Sequence, residues 1–469
     1  MYFEQFYLSC LAHASYMIGS EQIAAVVDPQ RDVEIYLAEA AKNGLRIAHI
    51  IETHLHADFV SGHHELAART GAMIYVGARA RALYTHHPVR DGEEIRFGRA
   101  VLRFLETPGH TPESLSVLIT DLERGPDPWA VLTGDTLFIG DVGRPDLSPD
   151  HTPQQLAALL FDSLHQKLLK LPDSVEVYPA HGAGSLCGRN ISAERRSTIG
   201  KERSLNYALR PMSRDEFVRL LTADLPPRPE YFARDAEINR GGAPALAELS
   251  ALPPLLPQEV AYQQTEGALV LDTRPAAQFG AGHLPGSIHI ALSGQFASWA
   301  GILIGLDQPI VLVVEDPERL EESRLRLARV GIEKVVGCLD GGVLAWDRAG
   351  QPLEQVPQIS VLDLHQQLTN QPEAIQVVDV RRPAEWETGH IEQALLKPLD
   401  RLRSILTDLD PRKPVAVHCK SGFRSSIATS LLQGAGFGQV MNVVGGFDAW
   451  QAQNLPFVSP HEPATANAS

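Results

Sequence analysis

AHIIETHLHADF, Ala48 to Phe59, joins a short apolar strand to a cluster of metal-binding side chains. Ala48 to Glu52 reads as a buried strand. THLHADF, at its C-terminal end, sets His54, His56 and Asp58 at alternating positions. Groups at strand ends, on loops held by a rigid sheet, are where chemistry concentrates. Three later segments repeat the arrangement: LRFLETPGHT ends at His110, AVLTGDTLF carries Asp135 and VEVYPAHG carries His181. Upstream, MYFEQFYLSCLAHASYMIGS reads as two alternating strands, Ile23 to Val27 as a third, and Asp32 to Asn43 as a helix closed by Gly44. The first ~245 residues are thus expected to alternate strands and helices.

His54, His110 and Asp135 form the expected metal set. Two imidazoles and one carboxylate on one face of a metal leave coordination positions open, as in non-haem Fe(II) sites that bind substrate and O2. A structural zinc would more often be closed by four ligands, commonly with cysteine, and no cysteine lies near these motifs in sequence.

HxHxD followed by PGHT, GDTLF and PAHG resembles the motif series of the metallo-β-lactamase superfamily. DPQRDVEIYL, ETHLHADFVSG and LFIGDVGRPDL are similar to its persulfide dioxygenase branch. The resemblance implies one Fe(II) per chain, held by His54, His110 and Asp135. It implies His56, Asp58 and His181 as groups that orient ligands or substrate. A two-metal hydrolase of the glyoxalase II type follows the aspartate with a histidine, where this chain has Phe59. A phenyl ring beside the metal would exclude water, which suits O2 chemistry better than hydrolysis. Arg144, in GDVGRPDL, matches a position the family keeps near the site. It would hold substrate carboxylates or developing sulfite, or else form a structural salt bridge. Cys187 follows PAHG by six residues and would relay a persulfide sulfur or position substrate, unless it is simply a buried thiol. His63-His64 and His86-His87 are expected to be solvated.

Leu225 to Glu259 is rich in proline and poor in periodicity, and reads as a boundary that wraps or tethers. Beyond it the chain repeats itself. LVLDTRPAAQFGAGHLPGSIHI (Leu269 to Ile290) matches QVVDVRRPAEWETGHIEQALLKPL (Gln376 to Leu399), with Asp272, Arg274, Gly282 and His283 falling on Asp379, Arg381, Gly389 and His390. DGGVLAW (Asp340 to Trp346) matches VGGFDAW (Val444 to Trp450). In the second copy, VAVHCKSGFRSS runs from an apolar strand into a loop opened by Cys419 and closed by Arg424. Loop amides and a helix N-terminus converging on the sulfur favour its anionic forms. With DVRRPAEWETGHI and GGFDAW this closely resembles a rhodanese, or sulfurtransferase, domain. The resemblance implies that Cys419 accepts a sulfane sulfur. Arg424 and the loop Lys420, Ser421, Gly422 and Phe423 would stabilise it and bind the donor or acceptor. The first copy has EDPERLEES at this place, with no cysteine, so it is read as a degenerate rhodanese that spaces, docks or dimerises.

The expected architecture is α/β and multidomain: a metallo-β-lactamase αββα sandwich over 1–246, a degenerate rhodanese over 254–355, an active one over 357–458 and a disordered tail over 459–469. The net charge of −16, from 41 basic and 57 acidic residues, argues against nucleic acid or an anionic membrane as partner. No apolar run approaches the ~20 residues of a membrane span, and no signal peptide is read at the N-terminus. Four scattered cysteines form no disulfide framework and suit a reducing cytoplasm. The combined expectation is an enzyme that oxidises a low-molecular-weight persulfide (glutathione, coenzyme A or similar) with O2 to sulfite, and uses Cys419 to convert sulfite to thiosulfate. The resemblance implies a homo-oligomer. A thioester hydrolase with an appended sulfurtransferase, or a non-enzymatic sulfur carrier, are the alternatives.

Overall fold

Each strand-terminal motif emerges from one of two six-stranded sheets. In the first sheet, Tyr2–Leu8, His13–Ser20, Ile23–Val27, Arg46–Glu52, Met73–Gly77 and His87–Val89 lie side by side in chain order. The second runs Ser197–Thr198, Glu176–Pro179, Ala130–Gly134, Leu115–Asp121, Ala100–Glu106 and Glu94–Phe97. Successive side chains of a strand point to opposite faces, and because each sheet is covered on both sides, both faces of these strands are apolar. Tyr16 and Ile18 face inward, where they meet Phe104, Leu115 and Val117 of the other sheet. Met17, between them, packs outward with Tyr36 and Leu66 of the helices Glu34–Lys42 and His63–Thr70. On the far side, the helices Pro153–Gln166 and Arg214–Thr222 bring Leu160, Leu164 and Phe217 onto Val131 and Val177. The result is the expected αββα sandwich.

This computed structural model describes residues 1–223, 225–249 and 251–459; the expected tail, apart from Ser459, lies outside the described residues. The chain divides into two units. One is Met1–Ser250 with Leu325–Glu333, and the other is Ala251–Arg324 with Lys334–Ser469. Leu325–Glu333, within the span read as the first repeat, is therefore part of the first unit. There the Arg329 guanidinium pairs with Asp32 at 2.9 Å, its carbonyl accepts from Val60 N at 2.8 Å, and Glu333 accepts from the buried Arg31 at 3.0 Å.

The second unit holds two five-stranded parallel sheets with the same connectivity. The matching residues of the two copies prove to be architectural. Arg274 chelates Asp272 and donates to Gly282 O at 2.8 Å, and Arg381 does the same with Asp379 and Gly389 O. Trp346 Nε1 donates to Pro352 O at 2.8 Å, and Trp450 Nε1 to Pro456 O at 2.9 Å.

Two expectations are corrected. Part of the proline-rich stretch is not a tether: Tyr231–Gly241 is a helix whose Tyr231, Phe232, Asp235 and Asn239 are buried in the first unit. His63 is not solvated but wholly buried, against the Tyr84 ring and 3.6 Å from Glu52. Burial first, then His64 and His56, hold it down at about 3. No helix among the described residues is long and apolar enough to cross a membrane.

Candidate metal centre and cysteine loop

His54, His110 and Asp135 converge as expected, each buried and each offering one ligand atom, all within 4.8 Å of one another. Asp135 Oδ2 lies 3.3 Å from His110 Nε2 and 3.8 Å from His54 Nε2. Neither Nε2 has a hydrogen-bond partner among the described residues. A metal ion is what such buried, unpaired ring nitrogens beside a carboxylate fit. Their tautomers are set from behind. His110 Nδ1 donates to Arg144 O at 3.0 Å, leaving the Nε2 lone pair facing Asp135. Thr53 Oγ1 gives its one hydrogen to Asp28 at 2.8 Å, so it accepts from His54 Nδ1 at 3.0 Å, with the same result. Burial holds both imidazoles below their ordinary range, and so neutral and able to ligate.

The backbone is shaped to this purpose. Asp28 sits at φ +50°, a conformation uncommon for non-glycine residues. From there its carboxylate reaches Thr53 N, at 2.7 Å, and lies 3.2 Å from His56 Nε2. Gly143, in GDVGRP, lets the loop close on the ligands. A Cβ there would stand 2.0 Å from Asp135 O and 2.8 Å from His110 Nδ1.

His56, Asp58 and His181 form a second buried cluster within the same reach, and Asp135, His181 and Cys187 a third. His181 joins them: Nδ1 donates to Asp135 Oδ1 at 2.8 Å, and Nε2 lies 3.0 Å from Asp58 Oδ2. Burial opposes charge on this ring, but Asp135 and Asp58 outweigh it and hold His181 well above its usual range. Phe59 packs against His56 with ring centres 4.4 Å apart and the planes tilted by 40°. It therefore walls the side of the cluster where a two-metal hydrolase carries a histidine.

Cys187 does reach the centre, wholly buried. Burial first, and then Asp58 and Asp135, push its thiol well up. Arg144 is buried too, but its guanidinium is bound by Asp146 at 2.6 and 2.8 Å and by the carbonyls of Pro226 and Leu186. It touches the centre through its backbone carbonyl, the acceptor for His110.

The residue that motif reading missed is Asn239. Its amide donates to His56 O at 2.7 Å and Phe59 O at 2.8 Å, and its oxygen accepts from Ser61 N at 2.8 Å. It pins both sides of the metal-bearing loop from 180 residues away. Asn239→Ala leaves these groups buried and unpaired, at a cost of about 1–3 kcal/mol. The expected outcome is a melting transition of the first unit lowered by several degrees, with weakened metal retention; an unchanged transition would contradict it.

In the second unit the strand Val415–His418 ends at Cys419, and the helix Phe423–Gly434 follows directly on the loop. Gly422, at φ +105°, turns its N–H onto Cys419 Sγ at 3.1 Å, and Ser425 Oγ lies 3.6 Å from the same sulfur. Lys420 and Ser421 are exposed at the mouth, and Phe423 is half-buried. Arg424 forms a bidentate pair with Glu385, at 2.6 and 2.7 Å. Burial raises the Glu385 carboxyl, but Arg424 more than offsets this and holds it low.

Aligning Ile310–Val313 of the first copy with Val415–His418 places Val314 where the second has Cys419, so the first copy carries no sulfur there. Thr273, Ala276, Leu292 and Arg319 of that copy instead line a cleft of about 630 Å³ whose other wall includes Ser421, Gly422 and Phe423.

Fold and site together define a metal centre of the metallo-β-lactamase type joined to two rhodanese-like domains, one of them with a cysteine loop. The family models agree: the metallo-beta-lactamase superfamily matches residues 8–181, and the rhodanese-like domain matches 256–349 and 360–453. The mitochondrial persulfide dioxygenase ETHE1 of Bos taurus is 30% identical over 232 residues, spanning 48% of this chain and 84% of that protein. The Homo sapiens counterpart is 31% identical over the same shares. A crystal structure of a metallo-beta-lactamase from Staphylococcus aureus subsp. aureus COL shares 32% identity at a TM-score of 0.65, covering 72% of this chain and 98% of that one. The chain belongs to the persulfide dioxygenase family of the metallo-beta-lactamase superfamily, extended by two rhodanese-like domains.

Proposed function

We propose that this chain oxidises low-molecular-weight thiol persulfides with O2 to sulfite at a mononuclear Fe(II) centre, and that Cys419 then converts sulfite to thiosulfate. The observation that carries this reading is the pair of buried, unpartnered Nε2 atoms of His54 and His110 beside Asp135. Bound there, one Fe(II) would have open positions for substrate and O2 and would supply the redox chemistry. The chain's own residues do the rest. Thr53 and the Arg144 carbonyl fix the ligand tautomers. Phe59 keeps water from one side. His181 holds a proton between Asp135 and Asp58.

The overall reaction takes one persulfide RSSH, one O2 and one water to the thiol RSH, sulfite and two protons. In the second unit, Cys419 takes the sulfane sulfur of another persulfide and releases RSH. Sulfite then attacks that outer sulfur, and thiosulfate leaves as the Cys419 sulfur is restored. The Gly422 amide stabilises the anionic sulfur, and the Arg424–Glu385 pair holds the first turn of the helix behind it. Glutathione persulfide and coenzyme A persulfide are the candidate substrates.

The test is O2 consumption by full-length protein loaded anaerobically with Fe(II) and given glutathione persulfide, with sulfite and thiosulfate assayed together. Uptake at one iron per chain is the expected result. No uptake from either persulfide, with iron present, overturns the proposal. A second reading, a thioester hydrolase, draws on the His56, Asp58 and His181 cluster as a second metal site. It predicts two zinc ions per chain and hydrolysis of a glutathione thioester.

A further inference from the structure

His13 is a histidine beside the metal centre to which the proposed function gives no task. It opens the strand His13–Ser20 and is wholly buried, and neither ring nitrogen has a hydrogen-bond partner among the described residues. Its ring centre lies 4.1 Å from Phe59, 5.5 Å from His181 and 5.6 Å from His56.

The backbone holds it there with unusual firmness. His13 bridges His181, Ala14 N donates to Ala180 O at 2.7 Å, and Gly182 N donates to Ala12 O at 2.8 Å. Ala12 adopts φ +53°, a left-handed conformation that costs an alanine energy and persists only where the surroundings impose it. A strained residue thus delivers an imidazole into the cluster, and that imidazole finds no hydrogen-bond partner among the described residues. Burying an unpaired polar group is unfavourable, so such a group is held in readiness for something that occupies the space beside it.

That occupant is not a resident metal. His13 belongs to none of the groups among the described residues whose ligand atoms lie within 4.8 Å of one another. Burial first, and then His181 and His56, hold this imidazole well below its usual range, and in either protonation state the ring carries an N–H donor. A buried donor beside the Phe59 ring suits a small anionic group, and the proposed substrate ends in one, the sulfane sulfur of a persulfide.

We propose that His13 is a substrate-binding residue, its ring N–H donating a hydrogen bond to the terminal anionic sulfur of the persulfide in the space bounded by Phe59, His56 and His181. This rests on the persulfide reading and adds the residue that orients the sulfur. It also gives Phe59 a second purpose: packed against both His13 and His56, it limits how the His13 ring can turn.

The experiment compares full-length wild type, His13→Ala and His13→Gln, all loaded with Fe(II). Binding of glutathione persulfide is measured by calorimetry without O2, and KM and kcat are then measured with O2. His13→Ala is expected to weaken binding and raise KM by about tenfold or more, the scale of one lost hydrogen bond to a charged group. Iron per chain should be unchanged. His13→Gln, which keeps a donor, should recover a substantial part of the binding. Unchanged binding in His13→Ala overturns the proposal. So does an equal loss in both variants accompanied by loss of iron, which would make His13 a prop for His181 instead. If His13→Ala does not fold, the Gln variant and His13→Phe carry the comparison, with Phe expected to bind as weakly as a donor-less site. Wild type that binds the persulfide but takes up no O2 refutes the dioxygenase reading alone and leaves the binding comparison intact.

Discussion

Replacing His110 by alanine is expected to remove O2 uptake and most of the bound iron together. His110 supplies one of the three ligand atoms of the His54, His110 and Asp135 set. Loss of a mere supporting group around a metal already costs about 10–100-fold in affinity or activity, so loss of a ligand should lower uptake by at least about 100-fold. The substitution also frees the Arg144 carbonyl, which accepts from His110 Nδ1, but it leaves the sandwich core untouched because His110 lies on a loop beyond the strand Ala100–Glu106. Melting behaviour should therefore stay near that of metal-free wild type, and this separates a lost ligand from a lost fold. Iron is measured by elemental analysis after desalting and uptake at an oxygen electrode. Uptake within about threefold of wild type at one iron per chain would falsify the ligand set.

Cys419→Ser is expected to change what is made without changing how much O2 is used. The metal centre and the cysteine loop belong to separate units, and serine offers no sulfur to carry a sulfane group. Thiosulfate should fall to the background of the uncatalysed reaction of sulfite with persulfide, and sulfite should rise to one per O2 consumed. The loop geometry argues that the variant folds: Cys419 O still accepts from Phe447 N at 2.7 Å, and the helix Phe423–Gly434 still starts at Gly422. Thiosulfate equal to wild type from this variant would show that sulfur transfer bypasses Cys419.

Much of this was legible in the sequence, for physical reasons. Short apolar strands ending in histidine or aspartate announce both the sheet and the chemistry. The four strand ends that carry His54, His110, Asp135 and His181 do meet. The repeat was legible because the structure needs the same brace twice, an aspartate chelated by the arginine two residues on. What escaped notice depends on contacts between residues far apart in the chain. Asn239 lies in a stretch whose prolines suggest a tether, yet it holds the metal loop. His63 sits one residue from an exposed-looking neighbour, and only the packing of Tyr84 and Glu52 buries it. Arg144 was legible as a charged residue near the site, but its partner Asp146, two residues on, binds the guanidinium instead. His13 was invisible as chemistry because a single histidine in a strand carries no spacing signal.

The placement of Leu325–Glu333 in the first unit bears on how such a chain can be rearranged. Read as text, the three segments look like cassettes that recombination could separate at the proline-rich boundary. The fold does divide within that boundary, after Ser250, but Leu325–Glu333 belongs to the unit before it. Excising the repeat at 254–355 would also remove the carbonyl that receives Val60 N–H and the partners of Asp32 and Arg31. Deleting the copy without a cysteine would therefore strip the first unit of contacts to Val60, Asp32 and Arg31.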